Sequence, residues 1–317
     1  MSADAVGVVP ERRDETSVSG SSRRPTAARR VRRPRWIGLA YIAPAGTLYL
    51  LFVLVPGVHT LWLSLFRWDG VTVGTWAGLA NYRAVAENPL LRGAVMHAFV
   101  LVVFFAVFPI IIGLLMAAIL GRHRRQGMTF FRVVFFLPQI VPMVAVGVTW
   151  RWMYTENGVV NQILGAIGLG SITQAWLGSF TLALPAVGLI GTWALSGLCF
   201  VLFLSGAQKI DISLYEAARI DGAGAVREFF AVTLPALRGE IAVALTITVV
   251  AALASFDIVY VTTNGSPGNT TTVPGLLVYR LAFTGGQVGV ASALAVTLTV
   301  LIVTVVVLLR RLTQEPK

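Results

Sequence analysis

Six long apolar stretches constrain this chain more than any other feature of its sequence. A helix needs about 20 apolar residues to cross the hydrocarbon of a bilayer, and each stretch reaches that length. Helices are expected because each satisfies its own backbone hydrogen bonds in lipid. The sequence therefore predicts an all-α membrane protein with six transmembrane helices, at about residues 37–66, 93–120, 133–154, 182–204, 241–261 and 288–309.

The composition supports the membrane class, and the positions of the basic residues predict an orientation. The 317 residues are 56% hydrophobic and only 12% charged, which is too little polar surface for a soluble globule. The net charge of +11 is concentrated in the first 35 residues, in the links around residues 122–132 and 209–238, and at the C-terminus. Basic residues prefer the cytoplasmic side, so both termini and the 209–238 segment are predicted to be cytoplasmic. Topology thus accounts for the charge, and no nucleic-acid partner is expected.

The sequence predicts an N-terminal tail followed by a transmembrane domain. Residues 1–35 contain nine arginines, many Ser and Pro residues and no apolar periodicity, which predicts a disordered cytoplasmic tail. Residues 36–317 carry the apolar stretches and form the predicted transmembrane domain. Prolines inside the stretches predict kinks, since proline removes one backbone donor.

The main polar interval between apolar stretches reads SLYEAARIDGAGAVREFFAVTLP, residues 213–235. Ser213 and Glu216 have the spacing of a capping box, which predicts a helix from Leu214. Gly222 and Gly224 then predict a break in the helix, with a positive φ angle expected at Gly222. A second helix over residues 225–234 is predicted to end at Pro235. The interval is expected to form a helix-turn-helix.

This interval resembles the cytoplasmic EAA loop of permease subunits in ABC importers. The resemblance rests on Glu216-Ala217-Ala218, Gly222 and Leu234-Pro235 at the family's spacing, with Val232 in place of the usual Ile. It implies that these residues couple the chain to a separate ATPase subunit, with residues 209–238 as the coupling loop. The alternative is an ordinary amphipathic loop on the membrane surface.

Further motifs are similar to the carbohydrate branch of these permeases, typified by maltose and glycerol phosphate importers. They include GLANY at residues 78–82, RVVFFLP at 132–138, Phe256-Asp257 and the turn Thr263-Asn264-Gly265-Ser266-Pro267, where Ser266 departs from the usual glycine. The resemblance implies a bacterial cell-membrane subunit of an importer for a sugar or related polyol. It implies as partners a second permease, two ATP-binding subunits that hold ATP and Mg, an extracellular solute-binding protein and membrane lipid.

Four residues are candidates for lining a solute path. Asp257 is the one acidic residue predicted inside a span, where an ionised carboxylate is costly unless it faces a polar cavity or a partner. A structural bond to a neighbouring helix or to the external turn is the alternative for Asp257. Trp193, Tyr260 and Asn264 are further candidates, because sugars stack on aromatic rings and bind amides. The run Thr270-Thr271-Thr272 is expected to be only a solvated turn.

Catalytic and cofactor motifs are not found in the sequence. A P-loop needs Gly-Lys before Ser or Thr, and neither lysine, Lys209 or Lys317, has that context. The three histidines have no HExxH spacing, no GxSxG elbow is present, and the single cysteine, Cys199, is expected to pack inside a span. We therefore expect no enzyme, bound cofactor or metal in this chain. An ion-gradient-driven carrier or channel and a membrane scaffold subunit remain alternative functions.

Overall fold

The computed structural model describes residues 35–120 and 128–313. Most of the predicted tail, residues 1–34, lies outside the described residues. By its internal contacts the chain divides into one unit of residues up to Leu51 and a second from Phe52 onward. In the described residues, helices predominate, and the strands Phe66–Arg67 and Thr75–Trp76 pair as an antiparallel hairpin.

Four of the six predicted spans coincide with single helices of the described residues, and two bent helix pairs raise the number of candidate spans to six if each pair is counted as one span. Four helices of the described residues are long and apolar enough to cross a membrane alone, and two bent pairs pass the same test together. The single helices are Ala40–Leu63, Pro89–Leu120, Ala183–Ala207 and Val288–Thr313. The bent pairs are Thr129–Ile140 with Met143–Met153 and Ala225–Ala236 with Arg238–Leu253.

Shorter helices lie between these spans. They are Ala80–Glu87, Val159–Ala166, Ile212–Ile220, Asp257–Thr262 and Pro274–Tyr279, with single 3₁₀ turns at Gly170–Ile172 and Trp176–Gly178.

The third predicted span, residues 133–154, is not one straight helix. Its two halves meet at an angle of 94°. Pro142 stands at the break with φ −55° and ψ 134°, and it directly precedes the second half. Proline also disfavours helical geometry in the residue before it, so the chain turns here.

The fifth predicted span, residues 241–261, is also interrupted. The helix Arg238–Leu253 ends, the backbone at Phe256 turns to φ −140° and ψ −57°, and a separate helix, Asp257–Thr262, begins. Asp257 therefore lies at the start of a short helix, and its prediction as a residue inside a continuous span is wrong. Residues 254–256 contain no Gly or Pro, and the sequence carries no local signal for this break.

Three prolines widen the helix that precedes them. π-helical turns at Leu50–Leu54, Val103–Val107 and Phe229–Thr233 each end two residues before a proline, namely Pro56, Pro109 and Pro235. A proline ring clashes with the carbonyl four residues earlier and offers no N–H, so the helix locally adopts the wider hydrogen-bonding pattern. Of the prolines predicted to kink the spans, Pro56 and Pro109 thus follow π turns, whereas Pro44 and Pro138 lie inside α-helices.

The fourth span, Ala183–Ala207, is the most buried of the four single helices. Phe200 and Phe203 are fully buried on it, and Cys199 is buried as expected for a packing residue. At Gly197 an added Cβ would overlap the carbonyl oxygen of Phe135, so this position requires the absence of a side chain. Small residues allow such close approach of helices in membranes. The fourth span therefore provides a fixed support for the segment that follows it.

Candidate functional site

The predicted helix-turn-helix is present between the fourth and fifth spans, with a different start. Its first helix is Ile212–Ile220, capped by Asp211, whose Oδ1 accepts the backbone N–H of Ser213 over 3.0 Å. The Ser213–Glu216 capping box is therefore wrong. Ser213 lies inside the helix, and the carboxylate two residues earlier takes the cap. The hydrogen bond from the Ser213 N–H lowers the pKa of the Asp211 carboxyl below its usual value.

Gly222 ends this first helix in a left-handed conformation, as predicted. Its φ is +74°, its N–H bonds the carbonyl of Arg219 over 3.0 Å, and the Ala223 N–H bonds the carbonyl of Ala218 over 2.9 Å. This pair of bonds is the Schellman motif, which favours glycine because other residues resist positive φ. The turn geometry therefore explains why glycine stands at position 222.

Two side-chain contacts fasten the first helix to the second, which runs through Ala225–Glu228 and the π turn to Ala236. Arg219 Nε donates to Glu228 Oε1 over 3.0 Å, and the Glu228 side chain is almost fully buried. The hydroxyls of Tyr215 and Thr233 lie 2.9 Å apart, and Thr233 is buried. Both contacts connect residues that are far apart in sequence, so the loop behaves as one body.

The outward surface of this loop is mainly apolar and combines the small Ala217 with larger side chains. Ala217 and Glu216 are exposed, and so are five large apolar side chains of the two helices: Ile212, Leu214, Ile220, Val226 and Phe230, with Ile220 86% exposed. Exposed apolar patches on a braced element indicate a contact surface. Arg219 lies beside this surface with an exposed side chain, and its Nε binds Glu228.

The base of the loop is packed against the spans. Leu237, at the 71° bend that follows Ala236, is 1% exposed and belongs to a core cluster with Cys199 and Phe203. Leu234 is partly buried and Pro235 is exposed within the short helix Leu234–Ala236. The base of the loop therefore packs against the fourth span and leads directly into the helix of the fifth span.

The four candidate path residues do not form one group. Tyr260 and Asn264 line a cavity of about 450 Å³, together with Tyr279, Arg280, Thr284 and Gly285. Trp193 packs elsewhere, with its ring centroid 5.6 Å from that of Trp150. Asp257 is exposed and does not line this cavity. Within the described ranges, its carboxylate has no hydrogen-bond or ion-pair partner, so the structure does not support the alternative of a structural bond.

The threonine run after this cavity is not a solvated turn, so that prediction is wrong. Thr271 and Thr272 are 0% and 1% exposed. Thr271 Oγ1 donates to the carbonyl of Ser266 over 3.0 Å and lies 2.8 Å from Thr263 Oγ1. The run is buried because these hydroxyls satisfy the polar groups of the turn.

Several residues of these two sites were missed by sequence reasoning. They are Asp211, Tyr215, Glu228 and Thr233 in the loop, and Tyr279 and Arg280 at the cavity. Asp211 carries a sequence signal, since Asp is a preferred N-cap residue. The others act through partners distant in sequence, which no local pattern indicates.

Comparison with known proteins decides the family. Residues 70–315 match the profile of the family described as "Binding-protein-dependent transport system inner membrane component". The chain belongs to this family. The predicted membership in this class of inner-membrane permeases is thereby confirmed, and with its apolar helices the chain is a multi-pass protein of the bacterial cell membrane.

Individual relatives of this inner-membrane component match along most of their length. The chain is 32% identical over 319 residues to the diacetylchitobiose uptake system permease protein NgcF of Streptomyces coelicolor, covering 92% of this chain and 90% of the relative. It is 34% identical to the trehalose/maltose transport system permease protein MalF of Thermococcus litoralis, covering 84% and 90%. A chain in the crystal structure of a bacterial alginate ABC transporter has the same fold, with a TM-score of 0.73 and 22% identity over 89% of this chain and 96% of that one.

Proposed function

We propose that this chain is the permease subunit of an ATP-driven importer for a sugar or related polyol. Two relatives above 30% identity are named as permeases for diacetylchitobiose and for trehalose and maltose, which supports the sugar class. Energy would come from ATP and Mg held in two partner ATPase subunits. A second permease would complete the solute path, and an extracellular binding protein would deliver the solute.

The observation that carries the coupling role is the braced, exposed first helix of the 209–238 loop. Ala217 presents almost no side chain, and the apolar residues around it are exposed, so a protein surface can approach the helix closely. The Arg219–Glu228 and Tyr215–Thr233 contacts join this helix to the segment that enters the fifth span. An ATPase subunit that moved the first helix would therefore also move the fifth span.

The orientation follows from the same proposal. The basic residues of the 209–238 segment support a cytoplasmic position for the loop, on the side where ATP is available. The fifth and sixth spans then have their connecting segment, with the Tyr260 cavity, on the outer side. Closure of the ATPases would tilt the fourth and fifth spans and alternate access to the path, a change between discrete packed states rather than a continuous deformation.

Solute uptake by the reconstituted importer tests the proposal. The chain would be expressed with the second permease, ATPase and binding protein of its own gene neighbourhood and placed in liposomes with ATP inside. We expect ATP-dependent accumulation of a sugar or polyol that stops when the ATPase carries an inactivating substitution. Uptake by the purified chain alone, driven by an ion gradient without ATP, would contradict the proposal and support a self-sufficient carrier.

A further inference from the structure

The cavity beside Tyr260 has two aromatic walls. The rings of Tyr260 and Tyr279 meet edge to face with centroids 5.0 Å apart, and their hydroxyls lie 3.4 Å from each other. Phe256 stacks behind Tyr260 at 5.2 Å and fixes the orientation of that ring. Aromatic rings locked by neighbours in this way present apolar faces and polar tips at the same opening.

The polar wall of the cavity is a turn held by Arg280. The guanidinium donates through Nη1 to Asn269 Oδ1 over 3.0 Å and through Nη2 to the carbonyl of Asn264. Asn264 and Asn269 both have positive φ, 46° and 67°, which is uncommon for residues other than glycine. Such conformations persist only where the surroundings enforce them, and they cluster at functional sites.

The turn is also tied to the second span, so the wall is formed before any ligand arrives. His97 Nδ1 lies 2.8 Å from the carbonyl oxygen of Thr272, and Thr272 Oγ1 donates to Asn269 Oδ1 over 3.2 Å. Within the described part of the chain, the side-chain amide of Asn264 and the hydroxyl of Thr284 take no hydrogen bond, although both residues line the cavity. The cavity thus combines aromatic rings of fixed orientation with polar groups that can form hydrogen bonds to a ligand.

We propose that this cavity is an outer subsite for one hydroxylated sugar ring. A pyranose has apolar C–H faces and a polar edge, which match the tyrosine faces and the Asn264 and Thr284 side chains. The volume of about 450 Å³ lies within the range of small-molecule sites. The inference rests on the proposed function, because a sugar subsite at the outer end of the fifth span has a role only in a chain that imports sugars. An acyclic polyol lacks the ring faces and would bind more weakly.

Ligand-observed NMR on the full chain in lipid nanodiscs tests the subsite directly. Maltose, trehalose and diacetylchitobiose serve as probes, and glycerol serves as the control without a ring. We expect saturation transfer to ring protons of at least one of the three sugars, weakened about fivefold or more by Tyr279→Leu and little changed by Tyr279→Phe. Trp152→Leu is the matched control, since Trp152 is an exposed aromatic residue that does not line the cavity.

A second variant keeps the test decisive if Tyr279→Leu fails to fold. Asn264→Gly preserves the positive φ and removes only the amide, so the turn should survive while sugar contact weakens. No transfer to any of the three sugars, or transfer unaffected by both Tyr279→Leu and Asn264→Gly, would overturn the subsite. Transfer to glycerol equal to that of the sugars would overturn the ring-stacking mode.

The reconstituted importer separates failure of the subsite from failure of the proposed function. If the wild-type assembly takes up no sugar or polyol, the proposed function fails. If it takes up sugar and Asn264→Gly leaves the KM for uptake unchanged, the subsite alone fails. The expected result is a KM raised about fivefold with kcat within about twofold, because the amide contributes to binding and not to ATP-driven motion.

Discussion

The 209–238 loop and the turn at residues 263–272 share backbone and arginine features but differ in which side chains they expose. Each contains a glycine at positive φ and a hydrogen bond or ion pair from an arginine, yet the loop exposes apolar side chains and the turn buries its hydroxyls. Gly222 has no atom within 4 Å of an added Cβ, whereas a Cβ at Gly265 would lie 2.6 Å from Thr272 Oγ1 and 2.7 Å from Arg280 Nη2. The contrast supports the proposals that the loop binds a partner outside this chain and that the turn forms the wall of a ligand cavity.

The largest effect is expected from Gly265→Val. The φ of +82° and the crowding by Thr272 both oppose a β-branched side chain, so the turn should lose its native packing. We expect about 3 kcal/mol or more of destabilisation, from strain and overpacking together. Thermal unfolding of the purified chain checks this. An unfolding midpoint equal to that of wild type would show that the turn is not enforced by its neighbours.

Gly222→Val is expected to act on coupling more than on folding. The space around Gly222 is open, so only the backbone strain of positive φ remains, about 1–2 kcal/mol. Sugar uptake and the stimulation of ATPase activity should fall together while the chain still folds. Gly224→Val is the matched control, since Gly224 has equal space but an ordinary φ of −75°. Equal loss of coupling in both variants would mean that the Schellman turn is not the cause.

Arg219→Met tests whether the Arg219–Glu228 contact holds the two helices of the loop together as one body. Removing the guanidinium takes a charged donor from the nearly buried Glu228 carboxylate, which should cost about 1–2 kcal/mol of local stability. Hydrogen exchange should then rise across residues 212–236 and stay unchanged in the turn at 263–272. Arg227→Met is the matched control, because Arg227 is exposed on the same element. Unchanged exchange in the loop would indicate that the two helices do not depend on this contact.

The smallest effect concerns the cap at Asp211. The pKa of the Asp211 carboxyl is lower in the folded chain than in the unfolded chain. The cap therefore stabilises the helix start fully at pH values above the unfolded pKa of about 3.9. This stabilisation is lost as the pH falls through the folded pKa. Fraying at Ile212 and Ser213 should therefore appear only in acid, and Asp211→Asn should remove the pH dependence while keeping a cap. NMR chemical shifts of these two amides measure the fraying when they are followed from about pH 2 to about pH 6, which is the range in which carboxyl groups titrate.

Structural features could be predicted where a single stretch of sequence contains the residues that determine them. The apolar lengths located the spans, Pro142 accounts for one break, and the spacing around Gly222 located the helix-turn-helix. Features could not be predicted where they depend on contacts with residues distant in sequence. The break at residues 254–256 has no Gly or Pro, and the buried threonines depend on a turn closed by Arg280, which lies 16 residues after Asn264.

The capping error has a different cause. Asp211 and Ser213 both suit an N-cap, and only the backbone geometry shows that the carboxylate takes the position. The site residues Glu216, Ala217 and Ala218 remain predictions as ATPase contacts; Glu216 and Ala217 are exposed, and Ala218 is partly buried. A partner must be present to test them.

The most direct test of the central claim is crosslinking from Ala217→Cys within the assembled importer. Cys199 is buried and does not compete for reagent. We predict that the new thiol reacts with impermeant reagents only after the inner face is opened, and that it crosslinks to the ATP-binding subunit in a nucleotide-dependent manner. Labelling from outside intact cells, or an intact importer in which position 217 crosslinks to no ATPase, would contradict the account.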